Sequence, residues 1–398
     1  MGEYAARAVE RAMKIQEVIL RAVSGQIMWM QAAEIIGISD RSMRRWKQRY
    51  EEHGYDGLFD RRKKRPSPKR VPLVEVEKVL RLYREQYFDF NVRHFVEKLH
   101  TDHGVSLSYT WVKTALQTAG LVAKSRKRGK HRKKRSRRPL PGMMLHVDGS
   151  THAWLGGGAR QDLVAILDDA TSEVYYAQLV DEESTATVMA GLKAVVGKQG
   201  IFCSLYSDRG SHFFYTPVAG SAPDRRRKTQ IGRALQQLGI EAIPAHSPQA
   251  RGRCERFFGT WQGRLPQELR FRGIETMAAA NDFLRQHWIP YHNKHFTVAA
   301  QQQGTAFVPY TGKDLNIIFS HQEERVVGND NTVTFGKLSL QVEPQKFRFS
   351  MARCRVLVCQ HLDGTLSVHY GPHRVGVYQA SGKPIQANST LRRKKKAA

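Results

Sequence analysis

Two stretches of this chain cannot join any hydrophobic core, and they decide how the rest must be divided. Residues 61–70 read Arg-Arg-Lys-Lys-Arg-Pro-Ser-Pro-Lys-Arg, and residues 124–138 read Lys-Ser-Arg-Lys-Arg-Gly-Lys-His-Arg-Lys-Lys-Arg-Ser-Arg-Arg. Neither contains an acid or a large apolar side chain. Like charges at that density repel one another and have nothing to bury, so both are expected to be linkers, the second disordered unless a polyanion orders it. A chain of 398 residues also exceeds what one core usually organises, which points to two to four domains. The expected boundaries are a helical module at 1–60, a basic linker at 61–72, a second helical module at 73–123, a linker at 124–141, a mixed α/β core at 142–300, a small β-barrel at 315–372 and a basic tail at 373–398.

The linkers exaggerate a property of the whole chain. Lys and Arg total 64 against 36 Asp and Glu, a formal charge of +28. Phosphate neutralisation and counterion release reward that many cations, so nucleic acid is the first candidate partner, and the helical pattern described next favours double-stranded DNA. A membrane is not expected. No segment approaches the ~18 consecutive apolar residues of a spanning helix, and the N-terminus lacks a signal-peptide apolar stretch, so the chain is expected to be intracellular and soluble. Cys203, Cys254, Cys354 and Cys359 are too few for a disulfide framework and form no C-x-x-C pair, so reduced packing thiols are expected.

The first module has a helix-turn-helix pattern. Gln31 to Gly37 and Asp40 to Tyr50 read as helices, with Gly37 for the turn and Ser39 as N-cap. In the second helix Met43, Trp46 and Tyr50 share one face, which turns Arg41, Arg44, Arg45 and Gln48 outward as candidates to enter a major groove. The second module reads as helices near 73–86, 91–103 and 108–119. In its last helix Val112, Leu116 and Ala119 make a core stripe, leaving Lys113, Thr114 and Gln117 exposed. Lys113 and Gln117 are further DNA-contact candidates.

After the second linker the pattern becomes extended. Met143–Gly149, Leu163–Leu167 and Val174–Val180 read as strands, the last two flanking the turn at Asp168–Glu173. A helix at about 184–197, a strand at 203–206 ending in Ser207-Asp208, a helix at about 228–238, a strand at 241–244 and a helix from Pro248 come next. That order, β-β-β-α-β-α-β-α, is that of a ribonuclease-H-like fold. His146-Val-Asp148-Gly-Ser150, Tyr206-Ser-Asp208-Arg-Gly-Ser211 and His246-Ser-Pro-Gln-Ala-Arg-Gly-Arg-Cys-Glu255-Arg256 resemble the three acidic motifs of DDE transposases and retroviral-type integrases, most closely bacterial insertion-sequence transposases of the ISNCY group.

The resemblance implies metal-dependent 3′-end cleavage and strand transfer at the terminal inverted repeats of a mobile element. It also implies direct attack by water and then a DNA 3′-hydroxyl, without a covalent protein intermediate. Asp148, Asp208 and Glu255 would be both catalytic residues and metal ligands. The chemistry needs two hard cations about 3.5–4 Å apart, so two Mg²⁺ ions per site are expected, with Mn²⁺ substituting. The first two acids would meet at a sheet edge and Glu255 would reach them from a helix started by Ser247-Pro248, about two turns before it. Arg251, on the same helical face, and Arg253 would lie on the DNA path.

Against retroviral integrases the spacing is long: 47 positions separate Asp208 from Glu255. The excess falls in 213–228, a basic insertion loop expected to touch DNA. Asp168 and Asp169 are expected to bond local backbone in their turn. His146 and His246 are expected to be structural or phosphate contacts, because the preferred metal is hard.

A helix at 276–288 should pack Phe283, Leu284 and Trp288, and hairpins at 332–342 and 355–370 should build the barrel. Lys346, Arg348, Arg353 and Arg355 would face a DNA or protein partner. Processing two ends together implies a homo-oligomer, at least a dimer on paired ends. A DNA-binding regulator without catalysis and a ribonuclease acting on hybrids remain alternatives, less able to explain three acids and two helical modules at once.

Overall fold

The computed structural model describes residues 6–59, 70–124, 135–216, 224, 227–245, 252–312 and 314–385. The chain forms two units, Met1–Lys78 and Val79–Ala398. In the first, α1 (Ala6–Val23), α2 (Trp29–Ile36) and α3 (Asp40–His53) enclose Ile15, Ile19, Ala32 and Met43. Gly37 closes α2 at φ 74°, a left-handed value that only glycine adopts without strain, and the Ser39 hydroxyl accepts from the Ser42 N–H at 3.3 Å to start α3. Arg41, Arg44, Arg45 and Gln48 are exposed on α3, while Trp46 and Tyr50 are half-buried against the core. The expected linker at 61–72 lies outside the described residues up to position 69.

The second unit holds α4 (Leu73–Glu85, from Val79 onward), α5 (Val92–Asp102), capped by Asn91, and α6 (Tyr109–Thr118), capped by Ser108. Their core is Val79, Tyr83, Tyr87, Phe95, Leu99, Val112 and Leu116. Lys113 and Gln117 are half-buried rather than fully exposed. Nor does this bundle stand apart from the rest of the unit. Its α5 docks on α10 (Leu265–Phe271) through His94 Nε2 and Lys98 Nζ to Glu268 Oε1, at 2.9 and 2.7 Å. Arg264 grips Glu97 with both terminal nitrogens, Tyr291 donates to Glu97 at 2.7 Å, and Arg270 pairs with Asp89 at 2.7 Å. Burial alone would raise Glu268, yet the bonds from His94 and Lys98 hold it down at about 2, so the joint is ionic at neutral pH.

The central sheet has the order β3-β2-β1-β4-β5, formed by β1 (Leu145–His152), β2 (Gln161–Asp168), β3 (Val174–Val180), β4 (Ser204–Ser207) and β5 (Glu241–Pro244). The first three strands are antiparallel, and β4 and β5 run parallel to β1. Strand alternation divides its side chains between two layers. Leu145, Val147, Val164, Ile166 and Leu205 meet α7 (Thr185–Gln199) and α8 (Gln230–Gln237). Leu163, Ala165 and Leu167 meet Trp154, α9 (Gly252–Gln262) and α10.

The helix expected at 276–288 is α11 (Met277–Phe283) running through a π-helical turn at Leu284–Trp288 into α12 (Ile289–His295). Pro290 cannot donate and would clash with the carbonyl four residues back, and the widened turn just before it accommodates both defects. After a short α13 (Leu315–Ile318), β6 (His321–Val326), β9 (Arg355–Gln360), β10 (Leu366–Tyr370) and β11 (His373–Tyr378) form one antiparallel sheet in the order β11-β10-β9-β6. A separate hairpin joins β7 (Thr332–Phe335) to β8 (Leu338–Gln341). The expected barrel is therefore not a closed sheet among the described residues. Residues 386–398 of the expected tail lie outside them, whereas 373–378 are a strand. No helix among the described residues is long and apolar enough to cross a membrane.

Candidate active site

The pairing of β1 with β4 sets Leu145 opposite Leu205 and His146 opposite Tyr206. Asp148 and Asp208 each stand two residues beyond the last of these paired positions, Asp148 midway along β1 and Asp208 just past the end of β4. Leu145, Val147 and Leu205 point to the α7–α8 layer, so alternation within β1 puts Asp148 on the opposite face, the one α9 covers. Asp208 is held in its loop by the Gly210 N–H, which donates to its Oδ1 at 2.9 Å. A Cβ at Gly149 would overlap the carboxylate of Glu183, so this fourth acid leans on the backbone next to Asp148. Glu183 is itself anchored by its N–H, which donates to Asp162 at 2.8 Å.

Helix α9 is pinned along β1 at both ends. Near its far end Gln262 donates to the Ser150 hydroxyl at 2.9 Å. Near its start Arg253 pairs with Asp169, which follows the partner of Leu145 in the β2–β3 turn. Cys254, Phe257, Phe258 and Trp261 bury one face of the helix, while Glu255 is exposed in its first turn. The start at Ser247-Pro248 lies outside the described residues, as do His246 and Arg251. Among the described residues no three His, Cys, Asp or Glu side chains are gathered closely enough to hold a metal ion. Asp148 stands on the face that α9 covers, Asp208 follows the end of the neighbouring strand, and Glu255 is exposed on α9.

Around Asp169 the sequence reading fell short. Asp168 does bond local backbone, accepting from the N–H groups of Ala170 and Thr171 and also from Gly142. Asp169 turns the other way and is fully buried. It receives Arg253, Arg135, the Arg138 N–H at 2.8 Å and His146 Nε2 at 2.7 Å. Arg137 adds bonds to the Asp169 carbonyl and the Ser172 hydroxyl, both at 2.9 Å. The linker expected to be disordered is thus anchored over 135–141, and 125–134 lie outside the described residues. Arg253, expected on the DNA path, is turned into the fold.

Burial first, then the Arg135 and Arg253 guanidiniums, pull His146 down to about 3. Burial and the neighbouring Arg135 and Arg137 lower Arg253 to about 10, which leaves it cationic at neutral pH. His146 is accordingly a neutral structural donor two residues from Asp148. The doublet Asp168-Asp169 was the available signal, because one turn cannot satisfy both carboxylates locally.

The insertion loop is described only at its ends. Phe213 is buried, its carbonyl accepts from the Thr229 hydroxyl at 3.1 Å, and Arg227 lies 4.1 Å from the Tyr215 ring centroid. Arg225 and Arg226 lie outside the described residues. Of the cysteines, Cys254, Cys354 and Cys359 are buried and none is in a disulfide.

Comparison with known proteins adds to this geometry. A domain family described as Homeodomain-like matches residues 42–116, and one described as a helix-turn-helix domain matches residues 16–67. The protein y4bF of Sinorhizobium fredii, itself assigned as a transposase, is 28% identical over 367 residues, covering 92% of this chain and 80% of its own length. The transposase for insertion sequence IS1202 of Streptococcus pneumoniae is 25% identical over 384 residues, covering 87% of this chain and 82% of its own. Among solved structures, the HTLV-2 integrase catalytic core domain in complex with magnesium matches 42% of this chain and 95% of its own at 13% identity and a TM-score of 0.30. A simian T-cell lymphotropic virus intasome in complex with PP2A regulatory subunit B56 gamma matches 70% of this chain and 91% of its own at 12% identity and a TM-score of 0.33. Scores that low carry no argument, and the weight rests on the two sequence relatives: over most of its length, from the helical modules through the sheet that carries Asp148 and Asp208, this chain is similar to transposases.

Proposed function

We propose that this protein is a DNA transposase of the DDE type, with a ribonuclease-H-like core that cleaves the 3′ ends of a mobile element and joins them to target DNA. The observation that supports the reading is that Asp148 and Asp208 each follow by two residues the last paired positions of adjacent parallel strands, with Glu255 on a helix packed on the same sheet. The donor set is all carboxylate, which suits a hard cation. Asp148, Asp208 and Glu255 would hold two Mg²⁺ ions, with Mn²⁺ substituting, and bound cations there supply polarisation of the scissile phosphate.

The chain's own residues do the rest. The exposed face of α3, with Arg41, Arg44, Arg45 and Gln48, suits a major groove, and the terminal inverted repeats are its proposed target. Lys113 and Gln117 would extend the contact, and Arg251 would stand beside the phosphate on the face of Glu255. The buried Asp169 cluster holds the start of α9 against β1, which limits how far Glu255 can wander from the aspartates. Two ends joined together require at least two protomers on paired ends, and the protein would act at the nucleoid in the cytoplasm.

The test is strand transfer on oligonucleotide ends titrated with Mg²⁺ or Mn²⁺. Wild-type protein should join in a metal-dependent manner and Asp208→Asn should not. Robust joining by Asp208→Asn would remove the assignment.

A further inference from the structure

The C-terminal sheet carries a feature that its packing does not use. Gln345 and Arg348 exchange backbone hydrogen bonds at 2.9 and 3.1 Å, which makes Lys346-Phe347 the tip of a tight turn. The Phe347 ring stacks on His373 at 4.4 Å and lies nearly parallel to Tyr370, at 8° and 6.5 Å. The Arg348 guanidinium stands 5.9 Å from the Tyr370 centroid and is steadied by the Ser350 carbonyl at 2.8 Å. One residue on, Phe349 is 85% exposed, and Phe347 is 49% exposed. Lys346, Arg348, Arg353 and Arg374 are exposed cations, and Glu343 is the acid of the same loop.

A single exposed apolar residue needs no explanation. Two rings on one turn, one already in a short stack with its free edge in water and both flanked by cations, do. A protein partner would favour a patch poor in lysine, with its charges at the rim. Ring faces interleaved with Lys and Arg instead match a nucleic acid whose bases are out of their helical stack, since every base offers a π-face and every nucleotide a phosphate.

We propose that the Lys346–Phe349 turn is a stacking platform for unpaired or kinked DNA bases. Phe349 supplies a ring to the displaced base, Phe347 and Tyr370 back it, and Lys346, Arg348, Arg353 and Arg374 hold the flanking phosphates. The proposal rests on the reading of this protein as one that acts on DNA and adds to it a preference for distorted over regular duplex.

The test compares full-length wild-type protein with Phe349→Ala and Phe349→Trp on two fluorescent probes, a regular duplex and the same duplex with a central run of unpaired thymines. Wild type and Phe349→Trp should favour the bulged probe. Phe349→Ala should lose about 5- to 100-fold on that probe and little on the regular duplex. A 2-aminopurine placed in the bulge should be quenched by wild type and not by Phe349→Ala.

Equal preference in wild type and Phe349→Ala, or no preference in wild type, overturns the proposal. So does a DNA-free dimer that Phe349→Ala converts to monomer by light scattering, which would make the turn an interface between copies. Phe349 is too exposed for its removal to disturb the fold. Because the transposase reading stands or falls on joining by Asp208→Asn, the two can fail separately.

Discussion

Replacing Asp169 by asparagine should cost more stability than any surface change of the same size. The carboxylate is fully buried and receives two guanidiniums, an imidazole N–H and a backbone N–H. The contributions differ with exposure. Arg135 is 44% exposed, so water takes over most of what that pair provides and it counts for little. Arg253 is only 9% exposed, and stripping the counter-charge from a cation buried to that degree costs about 3–5 kcal/mol. The asparagine amide accepts fewer bonds and points an NH₂ at donors, which adds to the loss rather than offsetting it.

A penalty of that size should lower the melting temperature of a unit this large by about 5–15 °C. Differential scanning fluorimetry reads it. The double variant Asp169→Asn with Arg253→Met should recover much of the loss, because removing both charges leaves the Arg253 site with no buried charge lacking its partner. A single variant that melts with the wild type, or a double variant that melts no higher than the single, would refute the electrostatic account of how α9 is held.

Acid should weaken the second unit through its buried histidines. His146 is lowered to about 3 and His292 to about 4, in both cases chiefly by burial, and burial also lowers His94 despite its bond to Glu268. With folded values below the unfolded value of about 6.5, the unfolded chain binds protons that the folded chain refuses. Stability is complete above about pH 6.5 and falls as the pH drops through the window toward 4, and a melting temperature flat from neutral pH to pH ~4.5 would contradict this. Arg264→Ala removes both bonds to Glu97 and one to Tyr291 from a nearly buried side chain, at a cost of about 2–4 kcal/mol. It should loosen the α4–α6 bundle first, seen as faster limited proteolysis between that bundle and β1 than in wild type.

Local signals made most of the elements legible. Ser39 caps α3 where its place before the helix says it should, and the Gly336 and Gly364 turns sit between strands as their neighbours imply. Edge strands were harder. β6 reads His-Gln-Glu-Glu-Arg-Val because only one face and one neighbour constrain it, and β11 carries Gly376 opposite an irregular step in β10, so neither shows a clean alternation.

Long-range charge pairing escaped sequence reading. Glu97 with Arg264, Lys98 with Glu268 and Asp169 with Arg253 join residues far apart in the chain, and nothing near either partner names the other. The aspartates of the candidate site were legible because each follows a short apolar run, Asp148 within β1 and Asp208 just past β4. The helix start expected at Ser247-Pro248 lies outside the described residues.

The ionic joint between α5 and α10 has a consequence for where such an enzyme could cut. A reading head on a loose tether lets the blade wander along the duplex, and the tether's length then sets the scatter. Here Glu97, His94 and Lys98 rivet the second bundle to helices built onto the sheet that bears Asp148 and Asp208. On the proposed function, whatever that bundle grips would be held at one span from the aspartates, as between the jaws of a caliper, and the offset from recognised base to broken bond would become a property of the folded body.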